Sequence, residues 1–494
     1  MNKLYLILFS LIFCISSVTS VQNKPVQPIK RFLDLPELKG ASFSLLAKDV
    51  KSGKEVFSYD PDRLMTPASV LKLVTTATAL EVLGKDFRFE TGLAYDGEII
   101  NGVLHGNLYI QGGGDPTLGS SFVADDQEVF LPDGNTFLPF WIEVLTKAGI
   151  HTIKGQVVAD ERIFDNEGLS RKWVYEDLGS YYGAGCYGLS VFDNQYKLIL
   201  RTGPVGGNPM IKHTVPEIDG LQFKNSLKSA NVSTDSTYIL GMPFVNERYL
   251  YGVVPSGKES YTLRGDIPDP PLFLAQYVTK GLLQAGIDVT GNPTCFRLLA
   301  EQGNIPSGER IKLCVIHSPA LAEIASVTNR VSHNLYADAL LKMLGVATPV
   351  WSKDPVSSFD RGVKHVLDFW KGEGIETSNI QLYDGSGLAM ADKVTATFIC
   401  DLLIYMMNES KTGESFMNGI PRVGIEGSVR NFLKGSKLQG KARLKSGSMS
   451  GVKAYAGYIE KNGHTYAIAL IVNSYPGEGR LVTKAIEQML LSLF

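Results

Sequence analysis

Thr66-Pro-Ala-Ser-Val-Leu-Lys-Leu-Val-Thr-Thr-Ala-Thr-Ala-Leu80 is the stretch on which the fold turns. Thr66 is a helix-capping type and Pro67 suits a first turn. Val70, Leu73, Val74, Ala77 and Leu80 then recur at helical spacing until Gly84 ends the run. That reading puts Ser69 in the first turn, where free backbone N–H groups and a partial positive charge gather. Lys72 lies one turn on, on the same face. Alone, Ser69 reads as a cap. A serine with a lysine three residues later is also a nucleophile with its own base, if the lysine loses its proton near neutral pH.

Two further motifs supply the rest of such a site. Ser332-His-Asn334 precedes an apolar helical run, expected over residues 332–344. Ser332 is placed to relay a proton to a leaving amine, and Asn334 to hold a substrate amide and orient Lys72. Lys445-Ser-Gly447-Ser448 lies near the start of one strand expected over Ala442–Ile459, paired with Tyr466–Asn473. An edge strand there would pair with an extended peptide, and Gly447 would allow close approach. Lys445 is expected to lower the pKa of Lys72 as a second cation and to attract a terminal carboxylate. The N–H groups of Ser448 and Ser69 would form an oxyanion hole. Together these groups open an amide or lactam through an acyl-serine without any histidine. Rival tripeptides read as structure: Lys51-Ser-Gly53 as a hairpin turn, Lys411-Thr-Gly413 as a loop, Ser229-Ala-Asn231 as part of a β-rich stretch. The second S-x-x-K, Ser450 to Lys453, falls in a strand-like run that sends the two side chains to opposite faces. His333, between two inward residues, is expected to face solvent.

More than half of the chain lies between Ser69 and Lys445, and its texture changes on the way. From residue 91 to 315 short strand-like runs alternate with glycine-rich turns, which reads as a β-rich insertion, expected to form two subdomains. Gly112-Gly-Gly-Asp-Pro116 lacks the lysine and helix of a phosphate loop and reads as a turn. Residues 21–90 and 316–494 form the remainder: a hairpin over Ser42–Asp60, helices from Ser318, strands around Asn462-Gly463, and a terminal amphipathic helix packed on a sheet. The fold class is therefore α+β, with helices around an antiparallel sheet built from both chain ends.

Bulk properties exclude several classes. The 494-residue chain carries a formal net charge of -2 and no basic stripe, so nucleic acid is not an expected partner. Seven histidines form no metal-ligand pattern, so neither metal nor cofactor is expected. No G-x-S-x-G elbow is present. Residues 1–20 read as a secretory signal, with Lys3, the apolar Leu4–Ile15 stretch and Val18-Thr-Ser20, and no integral membrane segment is expected. A lipid anchor at Cys14 is disfavoured by Phe13 before it. In an exported chain Cys295 and Cys314 are candidates for a bridge.

In these three motifs, in Gly112-Gly-Gly-Asp-Pro-Thr-Leu118, in Gly183-Ala-Gly with Ser190 and Asn194, and in Asp384-Gly-Ser-Gly-Leu388, the chain resembles the class C low-molecular-weight penicillin-binding proteins, a D-Ala-D-Ala carboxypeptidase/endopeptidase family. The resemblance covers nearly all of the chain after residue 20. It implies a penicillin-recognising (serine β-lactamase-like) catalytic domain with a large insertion, and an exported, periplasmic enzyme. The implied substrates are peptidoglycan stem peptides, and β-lactams are implied as covalent inhibitors. Carried over, Ser69 is nucleophile, Lys72 its base, Ser332 and Asn334 relay and position, and Lys445, Ser446, Gly447 and Ser448 hold the acyl and carboxylate end. Asp160, in Val157-Val-Ala-Asp160, is implied as the acid that meets the far end of the stem peptide. One departure is Ala389-Met390, where the family continues with Ser-Arg; Lys393 is a candidate substitute cation. The rivals are a β-lactamase or esterase on the same fold, set apart by fast deacylation, and a cell-wall-binding scaffold, which has no need of both lysines.

Overall fold

The computed structural model describes residues 26–123, 137–347 and 357–494; the expected signal segment and Cys14 lie outside them. Its frame is a five-stranded antiparallel sheet in the order Ala442–Met449, Val452–Lys461, His464–Asn473, Ser42–Asp49, Glu55–Tyr59. Both chain ends thus share one sheet, with Ser42 opposite Asn473 and Asp49 opposite Tyr466. Alternating side chains serve two cores. Ala454, Ala456 and Ile471 pack against the helices Leu71–Leu83, Asn334–Ala347 and Ala396–Asn408. Tyr455, Ile468 and Leu470 pack against the terminal helix Gly479–Leu493, through Ile486, Met489 and Leu490. The sheet between two helical layers is the α+β arrangement expected.

Three local expectations are corrected. Residues 442–459 are not one strand: the chain turns at Ser450-Gly451, with Gly451 at φ +68°. The partner of the Lys445 strand is therefore Val452–Lys461 rather than Tyr466–Asn473, and the Lys445 strand is the sheet edge. Ser450 sits in the turn, which voids the opposite-face reading of Ser450 and Lys453. The helix after Thr66 begins as a 3₁₀ turn, Ala68–Val70, before the α-helix Leu71–Leu83. Thr66 does not cap it; its N–H donates to Asn473 Oδ1 at 2.8 Å, which ties the helix start to the sheet.

The excursion leaves along Glu90–Tyr95 and returns along Ile311–His317, which pair antiparallel with Glu90 opposite His317. These are neighbours in a second five-stranded sheet, ordered Thr294–Cys295, Val157–Asp160, Leu108–Gly112, Glu90–Tyr95, Ile311–His317. Cys295 and Cys314 stand on its opposite edges, four strand spacings or roughly 19 Å apart. No disulfide spans that distance, and both cysteines are free. The strands Gln195–Arg201 and Glu247–Pro255 centre two further small sheets. The helices Phe137–Lys147 and Pro270–Gln284 share the core of this excursion, with Trp141 and Phe273.

Tight backbone approaches set the helix start against its surroundings. Gly387, at φ +74°, lies so close that a Cβ would fall 2.0 Å from the Ala68 carbonyl oxygen. Gly374, at φ +82°, has open space around it. Both glycines spare the cost of a left-handed L-residue, about 1–2 kcal/mol. Only Gly387 adds a collision. In equilibrium unfolding, Gly374→Ala should lose about that much stability, and Gly387→Ala at least twice as much. Equal losses would refute a close approach at Gly387.

Candidate active site

The 3₁₀ turn presents Ser69 half-buried at the wall of a cleft of about 450 Å³. Ala68 precedes it at φ +46°, a left-handed conformation that only a tightly held turn sustains. Lys72, fully buried on the same helix face, reaches Ser69 Oγ at 3.0 Å. Its Nζ also meets Asn334 Oδ1 at 2.6 Å and the Ser386 carbonyl at 2.6 Å. The last two oxygens can only accept. A neutral amine has two protons for them and keeps its lone pair for the Ser69 hydroxyl, which is the geometry of a base. Burial drives Lys72 toward this neutral form, down to about 8, against the pull of Asp338, Asp384 and Asp392. Burial, not the second cation, is the main depressor.

Asn334 opens the helix Asn334–Ala347, and its Nδ2 donates to the Tyr182 carbonyl at 2.8 Å. Ser332 stands before the helix rather than in it. It closes a wide π-type turn over Thr328–Ser332 with φ +62°, which aims its hydroxyl at Lys445. Lys445 Nζ donates to Ser332 Oγ at 2.9 Å and to the Ser446 carbonyl at 2.6 Å. Lys445 is fully buried, and burial, followed by the charge on Lys72, holds its ammonium well below the ordinary lysine range.

Gly447 lets this edge strand graze the helix start: a Cβ there would lie 2.7 Å from the Pro67 carbonyl and 3.1 Å from Ser69 N. Leu444 N–H points away from the sheet, to the Pro421 carbonyl at 3.1 Å. With antiparallel alternation, Ser446 and Ser448 N–H point to the same free side, toward the cleft. Ser69 N–H, in the first turn, lies beside it. Two amides aimed into one cleft next to a hydroxyl can hold a developing oxyanion. Seven of the expected residues thus converge: Ser69, Lys72, Ser332, Asn334, Lys445, Gly447 and Ser448. Ser446 joins them through its carbonyl, while its hydroxyl lies 2.8 Å from Ser428 Oγ.

Asp160 is not brought to the cleft. It ends a strand of the excursion, with its carboxylate held by Arg162 at 2.7 Å and Arg310 at 2.5 Å. The acids that line the cleft are Glu176 and Asp177, on a short 3₁₀ turn. Burial pushes Asp177 up to about 6. No motif or periodicity marked them; the Trp173 side chain that fixes this loop is the one sequence signal, since a buried indole needs an acceptor. Its Nε1 donates to Asp384 Oδ2 at 2.7 Å. Met390 lines the cleft and is exposed, whereas Lys393 turns away, its Nζ donating to Thr66 Oγ1 at 2.9 Å and the Met390 carbonyl at 2.8 Å. His333 is buried, not solvent-facing. It stacks on Tyr336 with centroids 4.1 Å apart, its Nε2 lying 3.3 Å from Asp193 Oδ1. The preceding left-handed Ser332 rotates it inward. The rival tripeptides lie elsewhere: Lys51-Ser-Gly53 in a turn, Ser229 in an excursion strand, and Thr412 bonded to Glu81.

Residues 26–493 match the model of the D-Ala-D-Ala carboxypeptidase 3 (S13) family. A D-alanyl-D-alanine carboxypeptidase of Actinomadura sp. is 26% identical over 476 residues, covering 93% of this chain and 82% of that one. The D-alanyl-D-alanine carboxypeptidase DacB of Haemophilus influenzae is 25% identical over 449 residues, covering 89% of this chain and 87% of the other. The crystal structure of penicillin binding protein 4 (dacB) from Haemophilus influenzae superposes with a TM-score of 0.77 at 22% identity, covering 94% of this chain and 98% of that one, which establishes a shared fold.

The state of Lys72 sets a pH dependence. The neutral amine grows as pH rises through about 8, so labelling of Ser69 by a neutral fluorophosphonate should rise with pH and level off above it. Lys72→Arg, which keeps its charge, should label at least ~10³-fold more slowly. A flat profile for the unaltered protein would contradict Lys72 as base.

Proposed function

The chain belongs to the D-Ala-D-Ala carboxypeptidase 3 (S13) family, and on that premise we propose how its own residues carry out serine DD-peptidase chemistry on peptidoglycan. Ser69 Oγ attacks the carbonyl of the penultimate D-Ala of a stem peptide as its proton passes to neutral Lys72. The oxyanion that forms is met by the N–H groups of Ser69 and Ser448, a contribution of a few kcal/mol, about 3 by analogy with single-donor deletions. The C–N bond then breaks. The amine of the terminal D-Ala, or of a cross-linked side chain, leaves with a proton delivered through Ser332 Oγ, which Lys445 holds in place. Water, deprotonated along the same route, releases the acyl group and restores Ser69.

The observation that carries this reading is the contact set of Lys72 Nζ: one hydroxyl, one amide oxygen and one backbone carbonyl, with no carboxylate directly bonded among the described residues. A β-lactam carbonyl fits the same steps, with the opened ring retained as a stable acyl group on Ser69. On this reading the free ammonium of a stem diamino acid lies near Glu176 and Asp177, which line the cleft, and not at Asp160. Residues 91–315 act as a substrate-gripping insertion on the catalytic domain of 21–90 and 316–494, supported by separate buried cores. Two subdomains within it are supported by its separate sheets. Peptidoglycan lies outside the cytoplasmic membrane, so the reading carries export, to the periplasm, with it. Among the described residues no helix is long and apolar enough to cross a membrane.

Product analysis of a digest of purified muropeptides tests it. Released D-Ala from pentapeptides, or conversion of cross-linked dimers to monomers, is expected, and both should vanish in Ser69→Ala. Turnover that survives this substitution would overturn the assignment.

A further inference from the structure

Lys445 cannot serve as the free cation for a substrate carboxylate. Its ammonium is fully buried, bonded to Ser332 and the Ser446 carbonyl, and it faces the catalytic side of the sheet, opposite Ala456. Ser446 and Ser448 stand on the other face of that edge strand, and Lys453 stands there too, directly across from Ser448. Lys453 Nζ donates to Ser448 Oγ at 2.6 Å. The lysine is half-buried, and burial alone lowers its pKa, with no acid among the described residues opposing it. A desolvated cation without a counter-ion is costly unless an anion arrives.

A glycine beneath the lysine leaves room for its stem. Lys453 passes over Gly479, the first residue of the terminal helix, where a Cβ would lie 3.1 Å from Lys453 Cε and 3.5 Å from Nζ. Ser448 is exposed, and it also lines the cleft that holds Ser69. Ser448 thus belongs to the wall of the reactive cleft while its hydroxyl meets the lysine.

We propose that Lys453, acting with the Ser448 hydroxyl, is the anchor for the carboxylate that ends the acyl donor: the terminal carboxylate of a D-Ala-D-Ala peptide, or the ring carboxylate of a β-lactam. The proposal rests on the DD-peptidase reading. It makes Lys453 a specificity residue that acts on substrate charge, while Lys445 supports proton transfer through Ser332.

The test compares two pairs of acyl donors that differ only in charge: a D-Ala-D-Ala tripeptide and its C-terminal amide, and benzylpenicillin and its methyl ester. The unaltered protein should prefer each acid by roughly 10- to 100-fold in kcat/KM or acylation rate, the scale of a charged hydrogen bond. In Lys453→Met that ratio should collapse toward unity, mainly through KM. Lys453→Arg should keep most of it, and raised salt should shrink it in the unaltered protein. An acid preference that persists in Lys453→Met, an equal loss on both members of a pair, or no preference in the unaltered protein would each overturn the anchor. Failure of the DD-peptidase reading looks different: the unaltered protein then turns over neither peptide, and the penicillin pair alone decides the role of Lys453.

Discussion

A lysine amine sealed from water and offered three fixed oxygens is the constraint around which this molecule is organised. Lys72 has no bulk solvent to satisfy it, so each partner must come from a different part of the chain. Ser69 comes from the 3₁₀ turn, Asn334 from the start of a helix far along the sequence, and the carbonyl of Ser386 from a loop. A buried ammonium is expensive, and that expense becomes reactivity: the environment that disfavours the charged form makes a base of a residue ordinarily protonated at neutral pH. The three buried aspartates around it, Asp338, Asp384 and Asp392, limit the depression and keep Lys72 close to the physiological range.

The long excursion belongs to the same design. Its Tyr182 carbonyl accepts from Asn334, Trp173 donates to Asp384, and Ser170 Oγ donates to the Tyr383 carbonyl at 2.9 Å. Asp384 in turn gathers the N–H groups of Ser386, Gly387 and Ala389. The carbonyl that faces Lys72 is therefore placed by a loop pinned from the inserted side. The excursion is thus a structural support of the reacting groups, so variants in it are expected to disturb chemistry as well as affinity.

What could be read from the sequence follows physical range. The Ser69–Lys72 pair was legible because both residues share one helix face at a spacing fixed by helical geometry. Ser332-His-Asn334 and Lys445-Ser-Gly447 were legible by their place before a helical run and in a strand-like run. The errors arose where a single residue changed direction. The turn at Ser450-Gly451, inside an otherwise strand-like run, shifted the partner of the Lys445 strand and hid the role open to Lys453. The left-handed Ser332 turned His333 inward onto Tyr336. Asp160, implied by the resemblance alone, is paired with Arg162 and with Arg310, far away in sequence. Glu176 and Asp177 lie on an irregular loop placed by the Trp173 hydrogen bond, a long-range contact without any period in the sequence.

The proposed chemistry requires that Ser69 become covalently acylated with Lys72 as its base. Intact-mass spectrometry of the protein with and without benzylpenicillin, followed by peptide mapping, tests it most directly. One adduct with the mass of the intact penicillin is expected, on the peptide that carries Ser69, absent from Ser69→Ala and strongly slowed in Lys72→Arg. An adduct on any other residue, or a stable adduct in Ser69→Ala, would contradict it.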